Sequence, residues 1–151
     1  QNDPRAIPTE TKITLIDALS DAGLPVIEAT SFVNPRAVPQ LADADLVMAR
    51  IRRRPGVRYP VLIPNERGFD RAVESGVDAI ALFTSATEAF CQANIRCSID
   101  ESFERFAPVI ERALAAKLWV RGYVSVAFDC PYSGPVTPEA AIRVTERASS
   151  P

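Results

Sequence analysis

The sequence predicts an α/β fold built on a parallel sheet. Segments of helical period alternate with short apolar runs along the chain, the pattern of successive βαβ units. Asp21-Ala22-Gly23-Leu24-Pro25-Val26-Ile27 and Glu74-Ser75-Gly76-Val77-Asp78-Ala79-Ile80 both read helix end, glycine, apolar residue, turn residue, strand. This is a weak internal repeat of the βα unit. The strands, such as Ala79-Ile80-Ala81-Leu82-Phe83, are of the kind that helices cover on both faces.

The elements follow in order. Thr9 is placed to cap a helix over residues 10–22, with Ile13, Ile16 and Leu19 on one face. Gly23 stops it, and Val26-Ile27-Glu28-Ala29-Thr30 forms the first strand. Residues 43–53 make a second amphipathic helix, with Val47 and Ile51 inward, ending at Pro55-Gly56. The strand Tyr59-Pro60-Val61-Leu62-Ile63 follows, and Asn65 caps a helix that passes through Phe69, Ala72 and Val73 to Gly76. After the strand at 79–83, Ser98-Ile99-Asp100-Glu101 is a capping box. Ile99, Phe103, Phe106, Ile110 and Ala113 then form a stripe at helical spacing. Pro108 falls inside that stripe and should kink the helix, at a cost of about 3 kcal/mol. A strand over 119–125, a Gly/Pro loop and a last helix opened by Thr137-Pro138 complete the chain. The expectation is four strands and five helices, with two open sheet edges.

Composition narrows the function classes. The 151 residues carry a net charge of -2, with 47% hydrophobic and 24% charged residues, ordinary values for one globular domain. Nothing in that charge calls for nucleic acid or an anionic membrane as partner, and no apolar run is long enough to span a bilayer. Cys91, Cys97 and Cys130 are an odd set without zinc-type spacing. They read as reduced thiols in a cytosol-like, cytoplasmic setting. The sequence contains no histidine, which removes the usual neutral-pH base and excludes Ser-His or Cys-His nucleophiles.

Function in parallel α/β architectures gathers at the C-terminal ends of strands. Glu28 stands out there, as a carboxylate in a strand expected to be buried. Such a group is either functional or held in a structural ion pair. Cys130, on the loop after the last strand, reads as an inert thiol for lack of a cationic neighbour. Cys91 and Cys97 read as packing residues. Arg52-Arg53-Arg54 ends a helix, where the macrodipole favours positive charge. Gly68, Gly76, Gly122 and Gly134 are too scattered for a phosphate-binding loop.

One family shares this sequence's words in order. They include Leu15-Ile16-Asp17-Ala18-Leu19-Ser20, Ala22-Gly23-Leu24 with Val26-Ile27-Glu28, and Thr30-Ser31-Phe32-Val33 followed by Pro35. Tyr59-Pro60-Val61-Leu62, Pro64-Asn65, Asn94-Ile95, Cys97-Ser98-Ile99, Arg121-Gly122-Tyr123-Val124-Ser125 and Cys130-Pro131-Tyr132 continue the series. With these the chain resembles the 3-hydroxy-3-methylglutaryl-CoA lyase family up to about residue 147. Gly is usual in that family where Asp129 stands, and Ala148-Ser149-Ser150-Pro151 departs from its pattern.

The resemblance implies a partial (β/α)8 TIM barrel: strands 2–5 with their helices, residues 1–151 forming a single partial domain. A complete barrel needs about 250 residues. It implies cleavage of 3-hydroxy-3-methylglutaryl-CoA to acetyl-CoA and acetoacetate, with Mg²⁺ or Mn²⁺ in the intact enzyme as Lewis acid. Matched residue by residue, Glu28 lies near the metal centre as a catalytic residue. Gln1, Asn2, Ser31, Asn94, Tyr123 and Cys130 surround the acyl-CoA pocket. The family's catalytic arginine and metal ligands have no counterpart in residues 1–151. The isolated chain is therefore expected to bind no metal, to be inactive, and to self-associate through its open edges. The second reading is a non-catalytic remnant acting through self-association or partner binding.

Overall fold

The computed structural model describes Asp3 and residues 5–149. One parallel sheet holds β1 (Thr30–Ser31), β2 (Val61–Leu62), β3 (Ala79–Ser85) and β4 (Trp119–Ser125), in that spatial order. The helices are α1 (Thr9–Asp21), α2 (Ala44–Arg50), α3 (Glu66–Glu74), α4 (Glu88–Ile95), α5 (Ile99–Ala115) and α6 (Pro138–Ser149). After β4, the antiparallel pair β5 (Asp129–Cys130) and β6 (Gly134–Pro135) forms a small hairpin. Strands adjacent in sequence are adjacent in the sheet, each joined through helix, as parallel pairing requires.

Side chains alternate across the sheet. Val61, Ile63, Ile80 and Leu82 point into a helix-covered core with Ile13, Ile16, Val47, Met48, Phe69, Phe106 and Val109. Leu62, Ala81, Phe83, Arg121 and Tyr123 alternate onto the opposite, open face. Leu82 is only 5% exposed, because it lies on the helix side. β3 is central and buried almost throughout, whereas β4 has no buried residue.

Backbone pairing beside β2 is irregular at one point. Ile27 N–H donates to the Arg58 carbonyl, Ala29 N–H to that of Pro60 and Phe32 N–H to that of Leu62. From Ala29 to Phe32 one strand advances three residues while its partner advances two, which makes a β-bulge. The extra residue lets Ile27 and Phe32, of opposite parity, both enter the core. It leaves Glu28 exposed on the open face.

The capping box is present as expected. Ser98 Oγ accepts from Glu101 N–H at 3.0 Å, and Glu101 Oε2 accepts from Ser98 N–H at 2.7 Å. α5 runs through Pro108 as one element, held by the buried Phe106, Val109 and Ala113. Thr9 is inside α1 and does not cap it. Its hydroxyl instead donates to Asp43 Oδ2 at 2.7 Å, and Lys12 Nζ donates to Asp43 Oδ1 at 2.7 Å, fastening α1 to α2.

α2 is shorter than the periodicity suggests. Arg52 N–H is taken by Asp17 Oδ1 at 2.8 Å and Arg54 N–H by the Tyr59 hydroxyl at 3.0 Å, so the backbone leaves the helical path. The arginine run is thereby a clamp: Arg52 pairs with Asp17 and Asp21, Arg54 with Asp21, and Arg53 bonds the Gly76 carbonyl. α4 was not expected, since only Cys91 among its residues is buried and no apolar stripe marks it.

Two outcomes follow for stability. A Cβ on Gly68 would lie 2.8 Å from both the Phe32 carbonyl oxygen and Pro64 Cδ. Gly68→Ala should therefore destabilise by about 1–3 kcal/mol in urea denaturation, despite a helix-propensity gain of about 1 kcal/mol. Asp43 titrates below its ordinary 3.8: burial opposes this, but bonds from Lys12 and Thr9 outweigh it. Its contribution is present above 3.8 and is lost as pH falls through the depressed value. Asp43→Asn should cost about 1–3 kcal/mol at neutral pH and flatten the acid limb of melting temperature against pH.

Candidate functional site

The open face carries two arginines stacked on aromatic rings. Arg121 and Tyr123 are two residues apart on β4 and share that face. The Arg121 guanidinium lies 4.8 Å over the Tyr123 ring, and Arg58 lies 5.1 Å over the Trp119 ring. The small Ala79 and Ala81 on the intervening β3 leave room for such long side chains to cross. The Glu28 carboxylate lies near enough for its negative charge to act on the Tyr123 phenol. Burial raises the phenol's pKa first, the nearby Glu28 carboxylate adds to it, and the Arg121 charge opposes.

Glu28 is thus neither buried nor ion-paired among the described residues. The expectation of a buried carboxylate fails because the bulge turns it away from the helices. Its structural-ion-pair alternative finds no support in this geometry. Glu28 and Tyr123, 95 positions apart in the sequence, share this face.

Cys130 is 1% exposed and anchors the hairpin to the first turn of α4. Thr87 caps α4 by accepting from Phe90 N–H at 3.3 Å, and its hydroxyl donates to Cys130 Sγ at 3.2 Å. Burial favours the neutral thiol, but hydrogen bonds from Ser133, Thr87 and the Tyr132 and Ser133 backbone outweigh it, lowering the pKa to about 7. The thiol expected to be inert for lack of a cationic neighbour is instead tuned by hydroxyls, one of them 43 positions away in the sequence. Just before the hairpin, Val126 holds a φ of 52°, strained for a β-branched residue. Cys91 and Cys97 are buried packing residues, and burial together with the adjacent Cys97 pushes the Cys91 thiol up to about 11.

The other expected site residues are dispersed. Ser31 is buried, with Oγ donating to the Leu62 carbonyl at 3.2 Å. Asn94 is exposed on α4, which lies in the connection following the C-terminal end of β3. Gln1 and Asn2 lie outside the described residues. No hydrogen bond or ion pair joins Ser31, Asn94 or Cys130 to Glu28 or Tyr123 among the described residues. No group of three or more His, Cys, Asp or Glu is placed to hold a metal ion among them. A single carboxylate does not make such a site, so the residues described do not by themselves fit a metal. No described helix is long and apolar enough to cross a membrane.

Known proteins match this architecture along nearly the whole chain. The mitochondrial hydroxymethylglutaryl-CoA lyase of Rattus norvegicus is 51% identical over 150 residues, covering 99% of this chain and 46% of that protein. The cytoplasmic 3-hydroxy-3-methylglutaryl-CoA lyase of Danio rerio is 52% identical, covering 97% and 44%. Among solved structures, the HMG-CoA lyase of Brucella melitensis superposes with a TM-score of 0.94 at 55% identity, covering 98% of this chain and 52% of that one. An HMG-CoA lyase of Acinetobacter baumannii, solved with coenzyme A and 3-methylmalate, gives 0.89 at 36%, covering 97% and 48%. The chain spans about half the length of the relatives it matches. Its four parallel strands are therefore part of a TIM barrel. The HMGL-like family, whose enzymes are generally metal-dependent, has a sequence model that matches residues 1–150, and the chain belongs to that family.

Proposed function

We propose that this chain supplies the first half of a hydroxymethylglutaryl-CoA lyase barrel. The reaction would cleave 3-hydroxy-3-methylglutaryl-CoA to acetyl-CoA and acetoacetate. The observation that carries this reading is the 51% identity to the rat enzyme along 99% of the chain. The open face supports it: Glu28 is exposed there, a carboxylate able to take the proton of a substrate hydroxyl, with the Tyr123 phenol on the same face. Glu28 is the proposed catalytic residue. Tyr123 and Ser31, with Asn94 and Cys130 from the following connections and Gln1 and Asn2 at the start, are proposed around the acyl-CoA.

Mg²⁺ or Mn²⁺ is the proposed metal of the complete barrel, with ligands from beyond these residues; no step through it follows from this chain. The proposed compartment is the cytoplasm.

Residues 1–151 alone should release no acetoacetate with saturating Mg²⁺ or Mn²⁺. Joined in one chain to the first strand and the C-terminal half of the Brucella melitensis relative, they should turn substrate over. In that joined protein Glu28→Gln should lower turnover by about 10²-fold or more at an unchanged melting temperature. A drop of several degrees with turnover intact would assign Glu28 a structural role.

Self-association is the second reading, favoured by the incomplete burial of the edge strand β4. Unpaired backbone groups cost about 1–3 kcal/mol each when buried, against a domain stability of about 5–15 kcal/mol. Light scattering after size exclusion should show dimers or larger species. A monodisperse monomer with strongly protected amides at 26–28 and 120–124 would rule this out.

A further inference from the structure

We propose that Thr87 is a positioning residue, whose single hydroxyl latches a loosely held hairpin, residues 128–136, onto α4 and so sets Cys130 against the helix that carries Asn94. What the latch serves rests on the reading of Asn94 and Cys130 as residues around the acyl-CoA.

The hairpin has little else to hold it. Cys130 is the one buried residue between 128 and 135, whereas Phe128 and Tyr132 are 89% and 61% exposed. Its backbone bonds close on itself, through the Asp129–Pro135 and Cys130–Gly134 register and Val136 N–H to the Phe128 carbonyl at 3.0 Å. Toward α4 it makes two side-chain contacts: the Thr87–Cys130 hydrogen bond at 3.2 Å and the tilted Phe90–Tyr132 ring pair at 6.0 Å. A segment with so few buried contacts opens locally at small cost, so one hydrogen bond weighs heavily in keeping it closed.

Thr87 is itself fixed from two sides. Ser85 Oγ donates to its carbonyl at 2.7 Å, which ties it to the end of β3, and the same carbonyl accepts from Cys91 N–H at 3.1 Å within α4. Its hydroxyl accepts from Phe90 N–H at 3.3 Å and donates to Cys130 Sγ at 3.2 Å. These two bonds require different chemistry. Capping α4 needs only an acceptor, which Asp or Asn would supply as well. Holding the sulfur needs a proton on that acceptor, which a hydroxyl has and a carboxylate lacks. At the base of the hairpin Val126 holds a φ of 52°, a strained conformation that persists only while surrounding contacts impose it.

The test is site-resolved alkylation of the 151-residue chain with iodoacetamide at fixed pH. Trypsin leaves one cysteine in each of the peptides 72–96, 97–105 and 122–143, so mass spectrometry reads Cys91, Cys97 and Cys130 separately. In the parent chain Cys130 should react much more slowly than in the urea-unfolded chain. Thr87→Asp keeps the cap and removes the donor; it should speed Cys130 by about threefold or more with Cys91 unmoved. Thr87→Val removes both bonds and should speed Cys130 at least as much, whereas Thr87→Ser restores both and should return the parent rate. Cys130 unmoved in Thr87→Asp overturns the proposal, as does equal acceleration of Cys91, or a parent Cys130 as reactive as in urea. A Thr87→Ser variant that stays fast or does not fold overturns it too. Where Thr87→Asp does not fold, as judged by far-ultraviolet circular dichroism, Thr87→Val carries the comparison of Cys130 with Cys91. Unfolding of both would assign Thr87 a purely structural role and also overturn the proposal. None of these readings uses turnover, so they stand apart from the lyase assay.

Discussion

Between Ala29 and Phe32 the chain contains one residue more than the strand it pairs with, and much of the molecule's chemistry depends on that mismatch. A strand without it would send either Ile27 or Phe32 out of the core. Both are nearly inaccessible, at 5% and 2%, so each contributes about 1.5–3 kcal/mol of apolar burial. The bulge keeps both inside, and its geometric consequence is a carboxylate at Glu28 directed to the open face. Core packing therefore sets the direction of the residue proposed to react.

The helix layer secures this arrangement from behind. Tyr59 is 1% exposed, and its hydroxyl meets Ser20 Oγ at 2.9 Å and Arg54 N–H at 3.0 Å. That contact places α1, the arginine run and the start of β2 in one hydrogen-bonded group. Asp17 and Asp21 complete it from α1. Each surface pair contributes little alone. Asp17 also accepts the Arg52 backbone N–H, so here the carboxylates replace helical bonds that α2 gives up.

The two faces of the sheet thus differ in kind. On one, charges are paired at the rim of an apolar core. On the other, Arg58 and Arg121 lie on aromatic rings and Glu28 has no ion pair among the described residues, an arrangement with little direct neutralisation. Charges left in that condition are common where a ligand or further protein surface is to be met. Across the strand end, the hairpin carrying Cys130 is fastened to α4 through Thr87, which relates a thiol of lowered pKa to the same end of the sheet.

Much of this was determined by sequence alone. The alternation of helical and apolar segments determines the parallel sheet and its strand order, because each crossover must return through a covering helix. The capping box at Ser98 and the cap at Asn65 are local hydrogen bonds, legible wherever their spacing occurs. The family words, including those around Glu28, Tyr123 and Cys130, are equally local. What the tertiary structure decided involves distant partners. The bulge depends on how strand pairing meets the core. Thr9 caps nothing because Asp43 is nearer its hydroxyl, and α2 ends early because Asp17 and Tyr59 capture backbone N–H groups from other elements. The placing of Glu28 and Tyr123 on one face, with Arg121 over the ring, exists only where distant segments are brought onto one sheet. No spacing along the chain encodes that distance.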